Sequence, residues 1–214
     1  MHDRSFSTAD RLVVNLDQAI RTLFGRPKVT ERSNPADELP DTELDEAQRD
    51  HIARLMRINH TGEVCAQALY QGQALTARDP VVRQSMERSA AEENDHLDWC
   101  EQRVAELGGR LSLLNPLWYA GSFAIGAAAG IAGDKWSLGF VAETEKQVEG
   151  HLDEHLAQVP ADDRRTRAIL EQMKADEIEH GRKALHHGGA PLPQPIRKLM
   201  QLTSKLMTTS VYRV

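Results

Sequence analysis

The sequence has few aromatic residues and almost no cysteine. Aromatic residues make up 5% of the 214 residues, and the two cysteines, Cys65 and Cys100, form no Cys-x-x-Cys pair. This spacing excludes zinc-ribbon and rubredoxin-type sites, because both need paired thiolates. We expect two free thiols in a reducing compartment, with a disulfide between them as the alternative.

Positive charge is also in deficit, and no apolar signal core is present at the start of the chain. The formal net charge is −6, which disfavours a general nucleic-acid binder. The first five residues, Met-His-Asp-Arg-Ser, are polar, so we expect no secretion.

One long segment, residues 111–133, has no charge at all. Its length would allow it to span a bilayer, but much of its hydrophobicity comes from Ala and Gly, which insert weakly. We therefore favour an apolar connector that lies against a membrane or lines an apolar cavity. Gly126 and Gly130 within it have a spacing that permits close helix contact.

What the sequence does have is helical periodicity over most of its length. Ala, Leu, Glu, Gln and Arg are frequent, and apolar residues recur at helical spacing in four long segments. These segments are about 43–77, 81–107, 135–159 and 164–187. Pro and Gly-Gly sequences separate them. The pattern predicts an all-α fold.

The chain divides into a central domain and two amphipathic appendages. Residues 46–190 hold the four long helices, residues 1–45 an amphipathic helix and a linker, and residues 191–214 a basic amphipathic tail. For the first helix, docking on the protein's own helices or on a second subunit is slightly favoured over membrane-surface contact. For the tail, packing on the bundle and contact with a lipid surface are weighted about equally.

Two motifs of the form Glu-x-x-His occur in the second and fourth long helices. They are Glu93-Asn94-Asp95-His96 and Glu177-Ile178-Glu179-His180. Three residues along a helix turn about 300°, so the Glu and His of each motif point to the same side. A carboxylate and an imidazole held side by side form half of a metal site.

A single glutamate precedes each motif at a similar distance, at the centre of an apolar helix stripe. Glu63 has this place in the first long helix and Glu145 in the third, whereas Glu92, Glu143 and Glu179 point to other sides. The chain thus contains the same helical hairpin twice. Two such hairpins joined by the apolar connector predict an antiparallel four-helix bundle.

The charges of these residues predict two divalent metal ions. Four buried glutamates without partners would each cost several kcal/mol, whereas two doubly charged cations would neutralise them. Carboxylate and imidazole ligands suit iron or manganese. The predicted ligands are Glu63, Glu93, His96, Glu145, Glu177 and His180.

Other histidines and one tyrosine are weaker candidates. His151 and His155 have zinc-like spacing, but we expect them to face away from Glu145, at the surface or in an outer layer of the site. His60 lies one turn before the first glutamate and either packs or orients a ligand. Tyr70 shares the same stripe and is interpreted as a core residue, with a redox or substrate role as the alternative.

Four short sequences resemble the demethoxyubiquinone hydroxylases of ubiquinone biosynthesis, the Coq7 family. They are Arg57-Ile-Asn-His-Thr-Gly-Glu63, Glu92-Glu-Asn-Asp-His96, Glu143-Thr-Glu145 and Asp176-Glu-Ile-Glu-His180. The Asn-His-Thr-Gly-Glu sequence and the apolar connector are the most specific points. The resemblance covers about residue 50 to the C-terminus.

The resemblance implies a ferritin-like monooxygenase with two ferrous ions per subunit, held by the same six residues. Glu63, Glu93, Glu145 and Glu177 would act in catalysis through the metal centre. The implied reaction, that of a 3-demethoxyubiquinol 3-hydroxylase, uses dioxygen and two electrons. It hydroxylates 2-polyprenyl-3-methyl-6-methoxy-1,4-benzoquinol to the 5-hydroxy product.

The resemblance also implies peripheral association with the cytoplasmic face of the cell membrane, and no nucleic-acid partner. A homo-oligomer or a complex with other ubiquinone-biosynthesis proteins is compatible with it. Four alternatives remain. A manganese catalase is possible on the ligands alone. Ferritin-like iron storage could use the same ligands but would have little use for the apolar connector. A rubrerythrin-type peroxidase usually carries a Cys-x-x-Cys iron domain, which is absent here, and a purely structural helical bundle leaves the six predicted ligands unexplained.

Overall fold

A computed structural model gives the structure of residues 8–26, 28–30 and 32–214. In the described part every element of regular secondary structure is a helix, which confirms the predicted all-α fold class. The expectation about the first five residues lies outside the described residues. The helices are α1 (Thr8–Phe24), α2 (Glu46–Thr76), α3 (Pro80–Glu106), α4 (Asn115–Ala132), α5 (Asp134–Leu156), α6 (Arg164–His186) and α7 (Gln194–Val211).

The long helices begin at residues whose side chains cap the free backbone N–H groups. Asp45 accepts a hydrogen bond from the backbone N of Gln48, at 2.8 Å, and the Gln48 side chain accepts one from the backbone N of Asp45, at 3.1 Å. Asp79 likewise accepts from Val81 at the start of α3, where Pro80 is the first residue. These caps set the starts of α2 and α3 within a few residues of the predicted ones.

The start of α6 is tied to α3 by a buried arginine. Asp163 caps α6 by accepting from the backbone N of Thr166 at 3.1 Å. Arg103 of α3 donates to Asp163 at 3.0 Å and to the Thr166 hydroxyl at 2.8 Å. All three side chains are buried, so this charge pair is shielded from water.

The helices α2, α3, α5 and α6 form the predicted four-helix bundle. The helices of each hairpin, α2 with α3 and α5 with α6, pack along each other, and further contacts join α3 to α6 and α2 to α5. Two apolar clusters fill the bundle, one around Met56, Cys100 and Leu170, the other around Met86 and Leu138. In all four helices the predicted metal ligands lie between the residues of these two clusters, so the site occupies the middle layer.

The apolar connector forms α4, which packs along α2 outside the bundle. The contact is close because glycines face each other: a Cβ atom at Gly126 would overlap the backbone of Leu69, and one at Gly72 would overlap the backbone of Phe123. The proposed use of Gly126 for close helix contact is thus confirmed. Among the described residues, no helix is both long enough and apolar enough to cross a membrane.

The appendage helices α1 and α7 pack on the outside and leave apolar side chains exposed. Ala19 and Leu23 of α1 pack against a small cluster that includes Tyr119 of α4. α7 is held at its end by Tyr212, whose hydroxyl lies 2.9 Å from Nδ1 of His51. Both cysteines are free thiols, as predicted.

Candidate metal centre

The six predicted ligands come together in the middle layer of the bundle, and all six are buried. Their ligand atoms form two groups, in each of which all atoms lie within 4.8 Å of one another. The groups are Glu63, Glu93, His96 and Glu177, and Glu93, Glu145, Glu177 and His180. Because Glu93 and Glu177 belong to both groups, the arrangement offers two adjacent metal positions that share two carboxylates.

Both histidines direct Nδ1 toward the shared carboxylates. Nδ1 of His96 lies 2.9 Å from Glu93 and 3.2 Å from Glu177. Nδ1 of His180 lies 3.1 Å from Glu93 and 3.3 Å from Glu177. The two halves therefore have nearly the same geometry, as expected for a repeated helical hairpin.

The opposite nitrogen of each imidazole contacts an acidic residue of the other hairpin. Nε2 of His96 lies 2.9 Å from Oδ2 of Asp176, and Nε2 of His180 lies 2.7 Å from Oε2 of Glu92. An Nδ1 that binds metal carries no proton, so the ring proton is at Nε2 and is donated to this carboxylate. Asp176 and Glu92 would thus fix the orientation of both rings.

Sequence reasoning did not identify these two acidic residues as part of the site. Glu92 was set aside because it points away from the apolar stripe of its own helix. A signal was nevertheless present, since an acidic residue directly precedes the Glu of each motif: Glu92 before Glu93, and Asp176 before Glu177.

Tyr70 is a core residue that also contacts the site. Its hydroxyl donates a hydrogen bond to Oε1 of Glu145. Burial, and then the nearby carboxylates, raise the pKa of Tyr70 well above its usual value, so the hydroxyl keeps its proton and remains a donor. Tyr70 therefore holds one carboxylate of the second group in place.

Without metal, the buried cluster has to retain protons. Burial raises the pKa of Glu63 and Glu145 well above the usual carboxyl range, and neighbouring carboxylates add to the effect. Burial alone would lower the pKa of His96 and His180, but hydrogen bonds to the surrounding carboxylates outweigh it and raise both. Metal ions would replace these protons as the neutralising charge.

The residues present fit a pair of divalent cations. Oε1 of Glu93 and Oε1 of Glu177 are buried and make no hydrogen bond of good geometry in the described part of the chain, although Nδ1 of His180 and Nδ1 of His96 lie 3.1 Å and 3.2 Å from them. Such atoms are costly unless a cation binds them. Four carboxylates and two imidazoles, with no thiolate among them, form a donor set suited to iron or manganese.

An apolar cavity of about 290 Å³ reaches the site from the side covered by α4 and α7. Glu63, Glu145 and Glu177 line its inner end. Its walls are largely apolar and include Leu69, Trp118, Ile125, Phe140, Leu199 and Met200. A ligand in this cavity would be in contact with the metal site and shielded from water by two helices.

The remaining candidates lie outside both metal groups. His155 is buried rather than at the surface, and its Nδ1 lies 2.8 Å from Oδ1 of Asn59. His60 is also buried and packs in the bundle. His151 does not face away from Glu145 as expected: it lines the same cavity and contacts the hydroxyl of Ser204 at 2.9 Å.

Comparison with known proteins identifies the family. The sequence profile of the family described as "Ubiquinone biosynthesis protein COQ7" matches residues 50–211. A protein of Cupriavidus necator is 60% identical over 207 residues, which cover 96% of this chain and 100% of the relative. Proteins of Pseudomonas paraeruginosa and Azoarcus sp. are 57% and 56% identical, over 99% and 96% of this chain and 99% of each relative.

All three relatives have the name 3-demethoxyubiquinol 3-hydroxylase. The matches to these relatives extend over nearly the whole chain, and the six predicted ligands lie within the residues matched by the family profile. The resemblance seen in the sequence is therefore confirmed, and the chain belongs to the COQ7 family of ubiquinone biosynthesis proteins.

Proposed function

We propose that this protein is a 3-demethoxyubiquinol 3-hydroxylase that uses two iron ions and dioxygen. The names of its relatives support the reaction, and one structural observation supports the substrate class. The apolar cavity ends at Glu63, Glu145 and Glu177, so a quinol ring inside it would lie beside the metal site. A polar substrate would gain little from these walls.

The six buried residues would hold the two iron ions, one ion in each group of four. Bound iron would supply the activation of dioxygen, which protein side chains alone do not provide. Asp176 and Glu92 would keep the imidazoles in the binding orientation, and Tyr70 would do the same for Glu145. The cavity walls would hold the ring near the site and exclude water.

We also propose peripheral association with the cytoplasmic face of the cell membrane. Ala19 and Leu23 of α1 pack on the same apolar cluster that contains Tyr119 of α4, and α4 shares the cavity with α7. Each of the three helices exposes large apolar side chains, which are Val13, Leu16, Ile20 and Phe24 of α1, Leu117, Ile125 and Ile131 of α4, and Ile196, Leu199, Leu202 and Leu206 of α7. An apolar surface at the cavity would let an isoprenoid chain enter from the lipid phase.

Anaerobic reconstitution tests this function. The metal-free protein is loaded with ferrous iron, supplied with a demethoxyubiquinol analogue and a reductant, and exposed to dioxygen. We expect about two irons per chain, as in other bundle di-iron sites, and a hydroxylated product detected by mass spectrometry. Hundreds of irons in a large cage would indicate storage instead. Rapid consumption of peroxide without any hydroxylated product would indicate a peroxidase or catalase.

Substitution of the ligands tests the site itself. Glu93→Ala and His180→Ala should each remove iron and hydroxylation, because each takes a donor from the shared centre. Helix content by circular dichroism should largely survive, since two apolar clusters hold the bundle on either side of the site. Full activity in either variant would refute the ligand assignment.

A further inference from the structure

The segment before α2 covers the outer side of the metal site. We call residues 28–30 and 32–36 the N-terminal strap. Asp95 of α3 lies nearly opposite Glu93 on its helix and is nevertheless completely buried, because the strap covers it. Thr30 donates to it from the backbone at 2.7 Å and from the hydroxyl at 2.6 Å, and Arg32 donates from Nε at 2.9 Å.

Arg32 also connects the strap to a metal ligand. Its Nη1 donates to Oδ2 of Asp176 at 2.8 Å, and the same oxygen is 2.9 Å from Nε2 of His96. The guanidinium thus joins Asp95 of α3 to Asp176 of α6, using the fixed geometry of its N–H groups. A lysine has one donor centre and could not hold both carboxylates in this way.

Trp99 packs against both Arg32 and His96. The guanidinium carbon of Arg32 lies 5.0 Å from the centre of the Trp99 ring, and the ring centres of His96 and Trp99 are 5.4 Å apart. The ring of Trp99 therefore packs against the imidazole and against the arginine that holds its carboxylate. This contact restricts rotation of His96 away from its ligand position.

In the other half of the site, no arginine from outside the bundle contacts the corresponding carboxylate among the residues that the structure describes. The carboxylate that contacts His180 is Glu92, and the arginine paired with it is Arg88, one turn earlier on the same helix at 3.1 Å. The Arg88 side chain is 80% exposed, so this pair contributes little. The two metal positions, otherwise nearly symmetric, thus differ in how firmly their imidazole is held.

We infer that Arg32 is a positioning residue for the metal centre: it fixes Asp176, and through Asp176 it fixes the imidazole of His96. The strap thereby preorganises the metal position that contains Glu63 and His96, from outside the bundle. This inference rests on the proposed metal centre. It assigns a function to a segment whose sequence indicates only a linker.

Titration of the metal-free, full-length protein with cobalt(II) alone tests the inference. Visible absorption of the bound ion reports each binding step, and the variants are Arg32→Ala, Arg32→Lys and Asp176→Asn. We expect Arg32→Ala to weaken one of two binding steps by about tenfold, the lower end of the effect of residues that orient ligands. Asp176→Asn should weaken the same step at least as much, and Arg32→Lys should recover only part of the loss.

The direction in which cobalt affinity changes distinguishes a loss of ligand orientation from the loss of the positive charge of Arg32. Loss of a positive charge near the site would by itself strengthen the binding of a cation. Weaker binding in Arg32→Ala therefore reports the orientation of the imidazole. Arg182→Ala is the matched control, because it removes an exposed arginine of α6 that pairs with Glu179. It should leave both binding steps unchanged.

Two results would overturn the inference. If Arg32→Ala binds two cobalt ions with wild-type or higher affinity while Asp176→Asn binds one weakly, the strap does not position the ligand. If the wild-type protein binds no cobalt, the metal centre itself is refuted, and the inference fails with it. Circular dichroism and the melting temperature of each variant exclude general unfolding as the cause of weaker binding.

Discussion

At the scale of single residues, the bundle buries two histidines that lie outside both metal groups, His60 and His155. Burial lowers the pKa of His60 to about 4, and burial together with the nearby His151 and His51 lowers that of His155 to about 4. Because the folded-state pKa lies below the unfolded value, folding favours the neutral form. The stability that this provides is complete above about pH 6.5 and is lost as the pH falls toward 4.

The substitution His155→Gln should therefore make the protein less sensitive to acid. Each buried histidine should cost about 2 kcal/mol of unfolding free energy between pH 7 and pH 5. A glutamine has an amide that can still donate to Asn59 but does not titrate. Urea unfolding measures the free energy of unfolding at pH 7 and at pH 5, and the difference between the two values should be smaller in the variant than in wild type by about this amount. His187→Gln, at an exposed position, should keep the wild-type pH dependence, and an equal effect of both variants would contradict the prediction.

Tyr70→Phe tests the hydrogen bond from the core to the site. The variant keeps the aromatic ring in place but removes the donor to Glu145, and we expect metal affinity to fall by about tenfold. Tyr119→Phe is the matched control, because that buried tyrosine donates to Gln71, which is not in either metal group. Competition with a chelator of known affinity measures both variants. Equal affinities would show that Tyr70 serves packing alone.

The clustering of the six predicted ligands could be expected from the sequence because the four glutamates lie in the apolar stripes of their helices and the two histidines lie beside them. Glu63 and Glu145 were distinguished from acidic neighbours on that basis alone. Asp95 and Asp176 could not be assigned roles in this way. A helical wheel gives the direction of a side chain from its own axis but not which segment packs over it, and their partner Arg32 is distant in the sequence.

At the scale of helices, the contact of α2 with α4 depends on glycine. A Cβ atom at Gly126 would overlap the backbone of Leu69, and one at Gly130 would overlap the hydroxyl of Thr76. Backbone atoms cannot move aside as a flexible side chain can, so the helices would have to separate. The cavity would change shape as well, because Leu69 and Ile125 both line it.

Gly126→Ala should therefore destabilise the protein although alanine favours helix. We expect a loss of about 2 kcal/mol from overpacking, measured by urea unfolding. Gly121→Ala in the same helix is the control, since a Cβ atom there meets nothing within 4 Å. It should gain up to about 1 kcal/mol from helix propensity. A stabilised Gly126→Ala variant would show that α4 does not pack as closely as the structure indicates.

Helix positions were predictable to within a few residues because Pro, Gly and capping residues mark their ends. Asp45 and Asp79 are such caps, and Pro80 is the first residue of α3. The strap was not predictable, because it has no periodicity and its place is set by contacts with α3 and α6. Sequence composition there indicated only a linker, although Ala36 is buried in a core cluster.

At the scale of the molecule, the bundle is a stack of three layers. Two apolar clusters enclose a polar middle layer, which by itself would be destabilising. The repeated hairpin lets two helix pairs each supply half of that layer. The cavity joins the middle layer to the surface between α4 and α7, so the proposed metal chemistry and the proposed access from a lipid phase would be parts of one arrangement.

The double substitution Leu202→Glu and Leu206→Glu tests that surface without altering the cavity. Both side chains are exposed, at 65% and 63%, and neither lines the cavity. Burial of a leucine in a lipid interface is worth about 1.5–3 kcal/mol, so binding to vesicles containing anionic phospholipid should fall at least about tenfold. Co-sedimentation measures the bound fraction, and added salt should weaken binding further because α7 carries basic residues such as Lys205.

The double variant should keep its activity toward a water-soluble substrate and lose activity toward a membrane-embedded one. Turnover of a water-soluble, short-chain quinol analogue should remain near wild type, because the metal site and cavity are unchanged. Turnover of a long-chain quinol embedded in vesicles should fall in parallel with membrane binding. Leu185→Glu on α6 removes a leucine that is also exposed, at 52%, from outside the three-helix surface and should change neither activity. Wild-type vesicle binding by the double variant would refute contact of α7 with the membrane.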